Sequence, residues 1–439
     1  MKKPINIYTL WPPNTTASFY YRLGVPLSTA EALGLPVKAI IDQNLADIPH
    51  EERIRHFCEA DIVLLYQPVG GQPIQNIRNL QTFMPSKRDG DWKWPPSTII
   101  ETDDNLFNVS PMNNAFKSLG VRDMNGKPIP LGHKIGLMNR GEQKILWEDG
   151  VNGFSLLKNR HTLDTWKTLL GMVDAVTCST QGVADEILKE VTPQRLRVFP
   201  NLVRMDHYEQ VDLREEPGKI KILWQGGSAH YEDWHPLRES MGRVTAKYPE
   251  VHWIIWGAQF PWVKELMPAH RYTYRPWCHY HEYKLRLVTI GHDISIAPLQ
   301  ENLFNRCRSA IKFYEASVLK KPAATLAQRA GAYKNEIIDG ETALLFDDPD
   351  QFEEKLSLLI ENEVERKRLA ANAKDWVNEN ANAMREVPKI VQFWEEMRED
   401  RKREQPHVSE AQWKELEDQM KAEEAAEEEA RKAQEMQPA

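Results

Sequence analysis

The strongest constraint on this 439-residue chain is a rhythm of short β-branched runs separated by helical stretches, which occurs twice with a polar break between the two series. In the first series the pattern predicts strands at Ile5–Leu10, Val37–Ile41, Asp61–Gln67, Thr98–Asp103, Ala175–Ser179 and Leu196–Phe199. Tyr20–Leu33, Pro49–Glu59, Leu163–Met172 and Gln181–Glu190 read as the helices between them. The second series predicts strands at Ile220–Gln225, Val251–Gly257, Tyr272–Trp277, Asp293–Leu299, Ala323–Leu326 and Ala343–Phe346. Its helices fit at about 234–247, 281–290, 308–319 and 331–338. Such alternation is that of a parallel, doubly wound sheet. Its repetition predicts an α/β chain of two similar units, with ligands bound in the cleft beyond the carboxyl ends of the strands.

The break is the charged segment Asp212-Leu-Arg-Glu-Glu-Pro-Gly-Lys219, which sets a first domain at 1–210 and a second at 211–380. Residues 105–160, rich in Asn, Gly, Lys and Pro, interrupt the first series and read as an insertion beside the cleft. Residues 381–399 form an apolar-faced helix expected to return across both domains. The 400–439 tail is dominated by Ala, Glu, Lys and Gln, and reads as a solvated or frayed helix, with self-association as the minority reading.

Composition excludes several classes. With 41% hydrophobic residues and no run near the roughly 20 apolar residues of a membrane span, the chain reads as globular. Its amino terminus enters a strand pattern directly, without a signal-peptide core, which predicts a cytoplasmic protein. Four scattered cysteines imply no disulfide framework. The net charge of -8 owes about five charges to the tail, so the body is near neutral and neither requires nor forbids a nucleic-acid partner. Trp11, Trp92 and Trp94 fall in expected loops, where aromatics can stack on sugars or bases. Walker-type, nucleophile-elbow and His-Glu-x-x-His patterns do not occur. The Trp277-Cys-His-Tyr-His-Glu282 cluster matches no closed zinc pattern, so no metal is expected.

Four segments carry residues suited to chemistry. In Phe304-Asn-Arg-Cys-Arg-Ser-Ala-Ile-Lys-Phe-Tyr-Glu315, a helix would put Arg308, Lys312 and Glu315 on one face with Ser309 in its first turn. Cations there suit phosphate oxygens, and a carboxylate suits ribose hydroxyls, though a solvated helix face has the same spacing. Gly226-Gly227-Ser228 follows a strand and lets backbone approach an anion. Asp103 and Asp104 end a strand, where they would accept a proton, orient a hydroxyl, hold a metal or merely cap a turn. Tyr21 and Arg22 follow the polar loop after the first strand, on the same cleft edge, where Arg22 would reach an anion or lie on the surface.

Together these pieces resemble the retaining GT-B glycosyltransferases of the family 4-like, group 1 type. The resemblance rests on Asp293-Ile-Ser-Ile-Ala-Pro-Leu, Phe304-Asn, Arg308-Ser-Ala-Ile-Lys-Phe-Tyr-Glu-Ala, Lys321-Pro-Ala-Ala and Ile338-Asp-Gly-Glu-Thr-Ala-Leu-Leu-Phe. Weaker echoes are Asp174-Ala-Val-Thr-Cys-Ser-Thr and Val198-Phe-Pro-Asn201, so it covers most of 170–380. It implies two facing Rossmann-like domains, an acceptor domain followed by a donor domain. It also implies transfer of a sugar from a nucleoside-diphosphate sugar with retention, and no obligatory cofactor or metal. By position, Glu315 would bind the ribose, Arg308 and Lys312 the departing diphosphate, and Asn305, Ser309 and Gly226–Ser228 would lie around the donor. Asp103 or Asp104 would face the acceptor or the transferred sugar, with Tyr21 and Arg22 on the acceptor side. The acceptor stays open among a glycan, a lipid-linked sugar, a protein and a modified nucleobase. A GT-B-shaped epimerase or hydrolase, or a non-catalytic binding protein of that shape, is the alternative. The chain departs from the pattern at Cys307, where many members carry a second glutamate that Glu301 would have to replace. It departs again at Arg308, usually Lys, and at Pro12-Pro13-Asn14-Thr15-Thr16, which replaces a glycine-rich loop.

Overall fold

The computed structural model describes residues 3–10, 17–42, 50–69, 71–81, 86–88, 91–93, 95–140, 143–208 and 218–404. The chain divides into two compact units, Met1–Arg398 and Glu399–Ala439, and both large sheets lie in the first. From edge to edge the first sheet runs Leu196–Val198, Ala175–Cys178, Ser97–Thr102, Ile62–Tyr66, Ile5–Leu10 and Val37–Asp42. The second runs Tyr272–Pro276, Val251–Gly257, Ile220–Gly226, Ile294–Ala297, Ala324–Gln328 and Leu344–Phe346. Every neighbouring pair in both is parallel.

Strands covered by helices on both faces must be apolar throughout, and Ile62–Tyr66 and Ile294–Ala297 are buried along nearly their whole length. Helices start where a side chain can take up a free N–H group. Ser155, Thr180, Asp348 and Asn362 each accept such a bond at the head of the helix that follows. In the first sheet the chain goes from Ile5–Leu10 outward to Val37–Asp42, then returns to place Ile62–Tyr66 on the other side. The second sheet does the same around Ile220–Gly226 and Ile294–Ala297. Each reversal opens a crevice at the carboxyl ends of the flanking strands.

The two halves are packed together. Thr180 Oγ1 donates to the carbonyl of Cys307 at 2.8 Å, and Asn105 Nδ2 donates to that of Leu303 at 3.2 Å. A Cβ on Gly182 would lie 2.8 Å from the Arg306 oxygen, so only glycine admits this approach. From the other side, the Ser97 hydroxyl donates to the Met397 carbonyl, 2.9 Å away, within the helix Ala383–Glu404. Cys307 itself is 1% exposed and sits among Val183, Ala184 and Ile187 of the first half.

One expectation is corrected and two gain detail. The helix predicted over 308–319 spans only Ile311–Ser317; Asn305–Cys307 is a 3₁₀ turn and Arg308 is extended, at φ −72° and ψ 146°. Arg308 and Ser309 thus precede the helix on which they were placed. Tyr20–Leu33 is a π-helical segment, Tyr20–Gly24, running into Val25–Ala32. The 105–160 excursion is ordered around its own cluster, in which Val109, Phe116, Trp147 and Phe154 pack with Phe304 of the second half. Its hairpin pairs Ile135–Arg140 with Gln143–Trp147. The helix Gly71–Gln81 has no counterpart in the sequence reading. The connector before Gly218, the Pro12–Thr16 loop, the tail after Glu404 and the side chains of Trp11, Trp92 and Trp94 lie outside the described residues. Among those described, no helix is long and apolar enough to cross a membrane.

The packing of Cys307 sets an expected outcome. Introducing a glutamate there buries a carboxylate among aliphatic side chains, at a cost of several kcal/mol. Thermal unfolding should show Cys307→Glu melting well below Cys307→Ala, by roughly 5 °C or more. Equal melting temperatures would contradict the placement of Cys307 in the core.

Candidate active site

The strand Ser97–Thr102 delivers Asp103 and Asp104 to the carboxyl edge of the first sheet. Asp103 is oriented from the neighbouring strand, since Tyr66 Oη donates to its Oδ1 at 2.6 Å and Gln67 Nε2 does so at 3.1 Å. Gln67 adopts φ 40°, a left-handed conformation that costs a non-glycine residue of order 1–3 kcal/mol. The same amide also reaches Thr102 Oγ1 at 3.0 Å, so the strained backbone aims one donor group at the strand end. Asp104 stands beside it. Removal from water pushes its carboxyl up to about 6, against the pull of Arg308.

The second half meets these carboxylates with cations. Arg308 and Lys312 line a cavity of about 150 Å³ together with Asp103, Asp104, Tyr21, Asn201, His230, Ser309 and Tyr333. Arg308 lies over the Phe304 ring at 4.8 Å, and its Nε is buried with no hydrogen-bond partner. Lys312 is half-buried, and among the described residues its ammonium has neither a hydrogen bond nor an ion pair. Burial lowers its pKa to about 8. The Ser309 hydroxyl accepts from Asn201 Nδ2 at 2.8 Å, across the two halves.

One layer deeper lies Glu315, 4% exposed and outside the cavity lining. Its carboxylate accepts from Tyr21 Oη at 2.5 Å, Gln225 Nε2 at 2.8 Å and Tyr283 Oη at 2.8 Å. Tyr21 belongs to the first half and the other two to the second, so this carboxylate ties the halves together. Burial raises its pKa to about 6, while the three donors pull the other way.

The structure thus brings Asp103, Asp104, Tyr21, Arg308, Ser309 and Lys312 to one cavity. It places the remaining candidates differently. Arg22 neither lies on the surface nor faces a ligand: it is 6% exposed and paired with buried Glu101 at 2.8 Å. Its Nη1 also donates to the Phe199 carbonyl and, at 3.1 Å, to Asn201 Oδ1. Arg22 therefore fixes Asn201, which in turn holds Ser309. Asn305 is buried and its amide serves Asp233 and the Gln300 carbonyl. Gly226 is needed because a Cβ there would lie 2.9 Å from the His230 ring; Gly227 is exposed and Ser228 begins a 3₁₀ turn. Glu301 pairs with Arg306 and does not line the cavity, so it does not take the vacant glutamate's place there. Sequence reasoning missed His230, Asn201 and Tyr333. His230 ends the Gly-Gly-Ser-Ala-His turn and Asn201 closes the Val198-Phe-Pro-Asn segment, so both lay in legible motifs, whereas Tyr333 lay in none. Among the described residues no group of three or more His, Cys, Asp or Glu is arranged to hold a metal ion.

No protein-family model and no curated protein matches the chain. Solved structures do match. Sucrose-phosphate synthase from Thermosynechococcus elongatus aligns at a TM-score of 0.58 and 10% identity, covering 90% of this chain and 99% of that one. HepE of Anabaena, solved in complex with UDP, aligns at 0.56 and 10% identity, covering 89% of this chain and 100% of its own. It has also been solved with UDP and glucose, and with UDP-glucose. A glycosyltransferase from Rickettsia africae aligns at 0.55 and 12% identity, over 90% and 99% of the two chains. With its two parallel six-stranded sheets facing one cavity, the chain has the GT-B fold of these structures.

Proposed function

We propose that the chain is a retaining glycosyltransferase that moves a sugar from a nucleoside-diphosphate sugar to a hydroxyl of an acceptor. One observation carries the reading: Arg308 and Lys312, without hydrogen-bond partners among the described residues, face Asp103 and Asp104 in a single cavity at the carboxyl ends of both sheets. The UDP and UDP-glucose complexes of HepE support a uridine diphosphate donor.

In this reading the bond between the anomeric carbon and the diphosphate breaks, and its electron pair stays on the phosphate oxygen. Charge on that oxygen grows toward the transition state, so fixed cations stabilise it more than they stabilise the ground state. Ser309, held by Asn201, offers its hydroxyl proton to the same group. Asp103 and Asp104 face the transferred sugar and the acceptor hydroxyl. Glu315 is the ribose ligand, and for a ribose to reach it the bond from Tyr21 must give way.

Release of diphosphate from a panel of nucleotide sugars, measured with and without candidate acceptors, tests the reading. Arg308→Ala and Lys312→Ala should each lower kcat/KM by roughly 10²- to 10³-fold while melting near the wild type. Undiminished turnover in both folded variants would refute the assignment. Full turnover without any acceptor would point instead to an epimerase or hydrolase of the nucleotide sugar.

Lys312 also fixes a pH dependence. Only its protonated form attracts diphosphate, so UDP affinity should fall as pH rises through about 8. The decline should be steepest above that value and should disappear in Lys312→Arg, whose charge persists. Isothermal titration across that range checks it, and an equal decline in the variant would exclude Lys312 as its source.

A further inference from the structure

His230 lines the donor cavity beside Arg308 and Lys312, and its surroundings fix how it hydrogen-bonds. Its Nδ1 lies 2.7 Å from Asp233 Oδ2. Asp233 is 1% exposed, and its other oxygen accepts from the Gln300 N–H at 2.8 Å and from Asn305 Nδ2 at 3.0 Å. With Oδ1 so occupied, the carboxylate acts as acceptor to Nδ1–H. The imidazole is then pinned in one tautomer, with Nε2 the nitrogen left for a ligand. Gly226 provides the room for this ring, since any larger residue would strike it.

Resting on the donor-site reading above, we propose that His230, oriented by Asp233, takes up a proton when a nucleoside diphosphate enters the cavity and becomes a further hydrogen-bond donor to its phosphates, beside Arg308, Lys312 and Ser309. A neutral Nε2 presents a lone pair, which repels a phosphate oxygen. Lys312 and Arg308 line the cavity with the ring, joined from other elements by Asp103, Asp104, Tyr21 and Tyr333, while Asp233 lies behind it. Burial first, and then Lys312, hold its pKa down at about 4, so the ring is neutral near neutral pH. A diphosphate reverses the sign of the field at Nε2. One proton then passes from solvent to Nε2, and Nε2–H donates to a phosphate oxygen. During transfer His230 forms no covalent bond. Its hydrogen bond strengthens as the electron pair of the broken bond collects on the departing diphosphate, and the proton returns to solvent when that product leaves.

Titration calorimetry with UDP in buffers of different ionisation enthalpy reads this directly. At about pH 6.5, wild-type protein should take up roughly half a proton or more beyond what His230→Gln takes up. Ionisation of UDP, Asp104 and Glu315 is common to both proteins and cancels in the difference. His230→Gln should still bind, about tenfold more weakly. In Asp233→Asn the amide would donate to Nδ1 and leave the hydrogen on Nε2, so binding should persist with the extra uptake lost. Equal uptake in wild type and folded His230→Gln overturns the proposal while leaving the donor reading standing. Failure of wild-type protein to bind UDP at all overturns both.

Discussion

Two like charges sharing one small cavity are the constraint on which the rest of this molecule turns. Arg308 has a buried, partnerless Nε, and Lys312 has no ion pair among the described residues. Such an arrangement is costly, because each cation loses water and faces the other, and the attraction of Asp104 for Arg308 and of Asp233 for Lys312 opposes that cost. The structure keeps it by surrounding it with rigid elements. Phe304 underlies the guanidinium, the Ile311–Ser317 helix sets the lysine, and Asn201, held by the buried Arg22–Glu101 pair, fixes the residue between them. The cost is offset when an anion enters. Preorganised cations of this kind stabilise charge that develops during a reaction without having to rearrange.

The same elements explain why the two halves are held together around the cavity. Glu315 accepts hydrogen bonds from both halves, Asn201 meets Ser309 across the cleft, and Thr180 receives the turn at Cys307. These contacts place the carboxylates of one sheet opposite the cations of the other. They also couple ligand and geometry, since a ribose that replaced Tyr21 on Glu315 would exchange a contact between halves for a contact to the ligand.

Much of this was legible in the sequence. All twelve strands of the two large sheets fall within a few residues of where β-branched runs predict them, because buried parallel strands leave a strong apolar signature. Arg308, Lys312, Asp103 and Asp104 were legible as charged residues at strand ends and after them. Side-chain partnership was not. The spacing of Arg308, Lys312 and Glu315 suggested one helical face, yet the chain is extended at Arg308 and the helix begins at Ile311. Arg22 read as an anion-seeking or surface residue because its partner Glu101 lies 79 residues away in sequence. Cys307 read as a departure where the resembled family often carries a second glutamate, whereas packing against Val183 and Ile187 makes it part of the core. The turn that carries His230 was visible but its role was not, since its meaning comes from Asp233 and from the cations that a different element brings beside it.

The most direct measurement is a crystal structure of the protein with UDP. The account requires the diphosphate oxygens to lie within about 3 Å of the Arg308 guanidinium and the Lys312 ammonium, in the cavity that Asp103 and Asp104 face. Nucleotide bound elsewhere, with Arg308 and Lys312 still without a hydrogen-bonded anion, would contradict it.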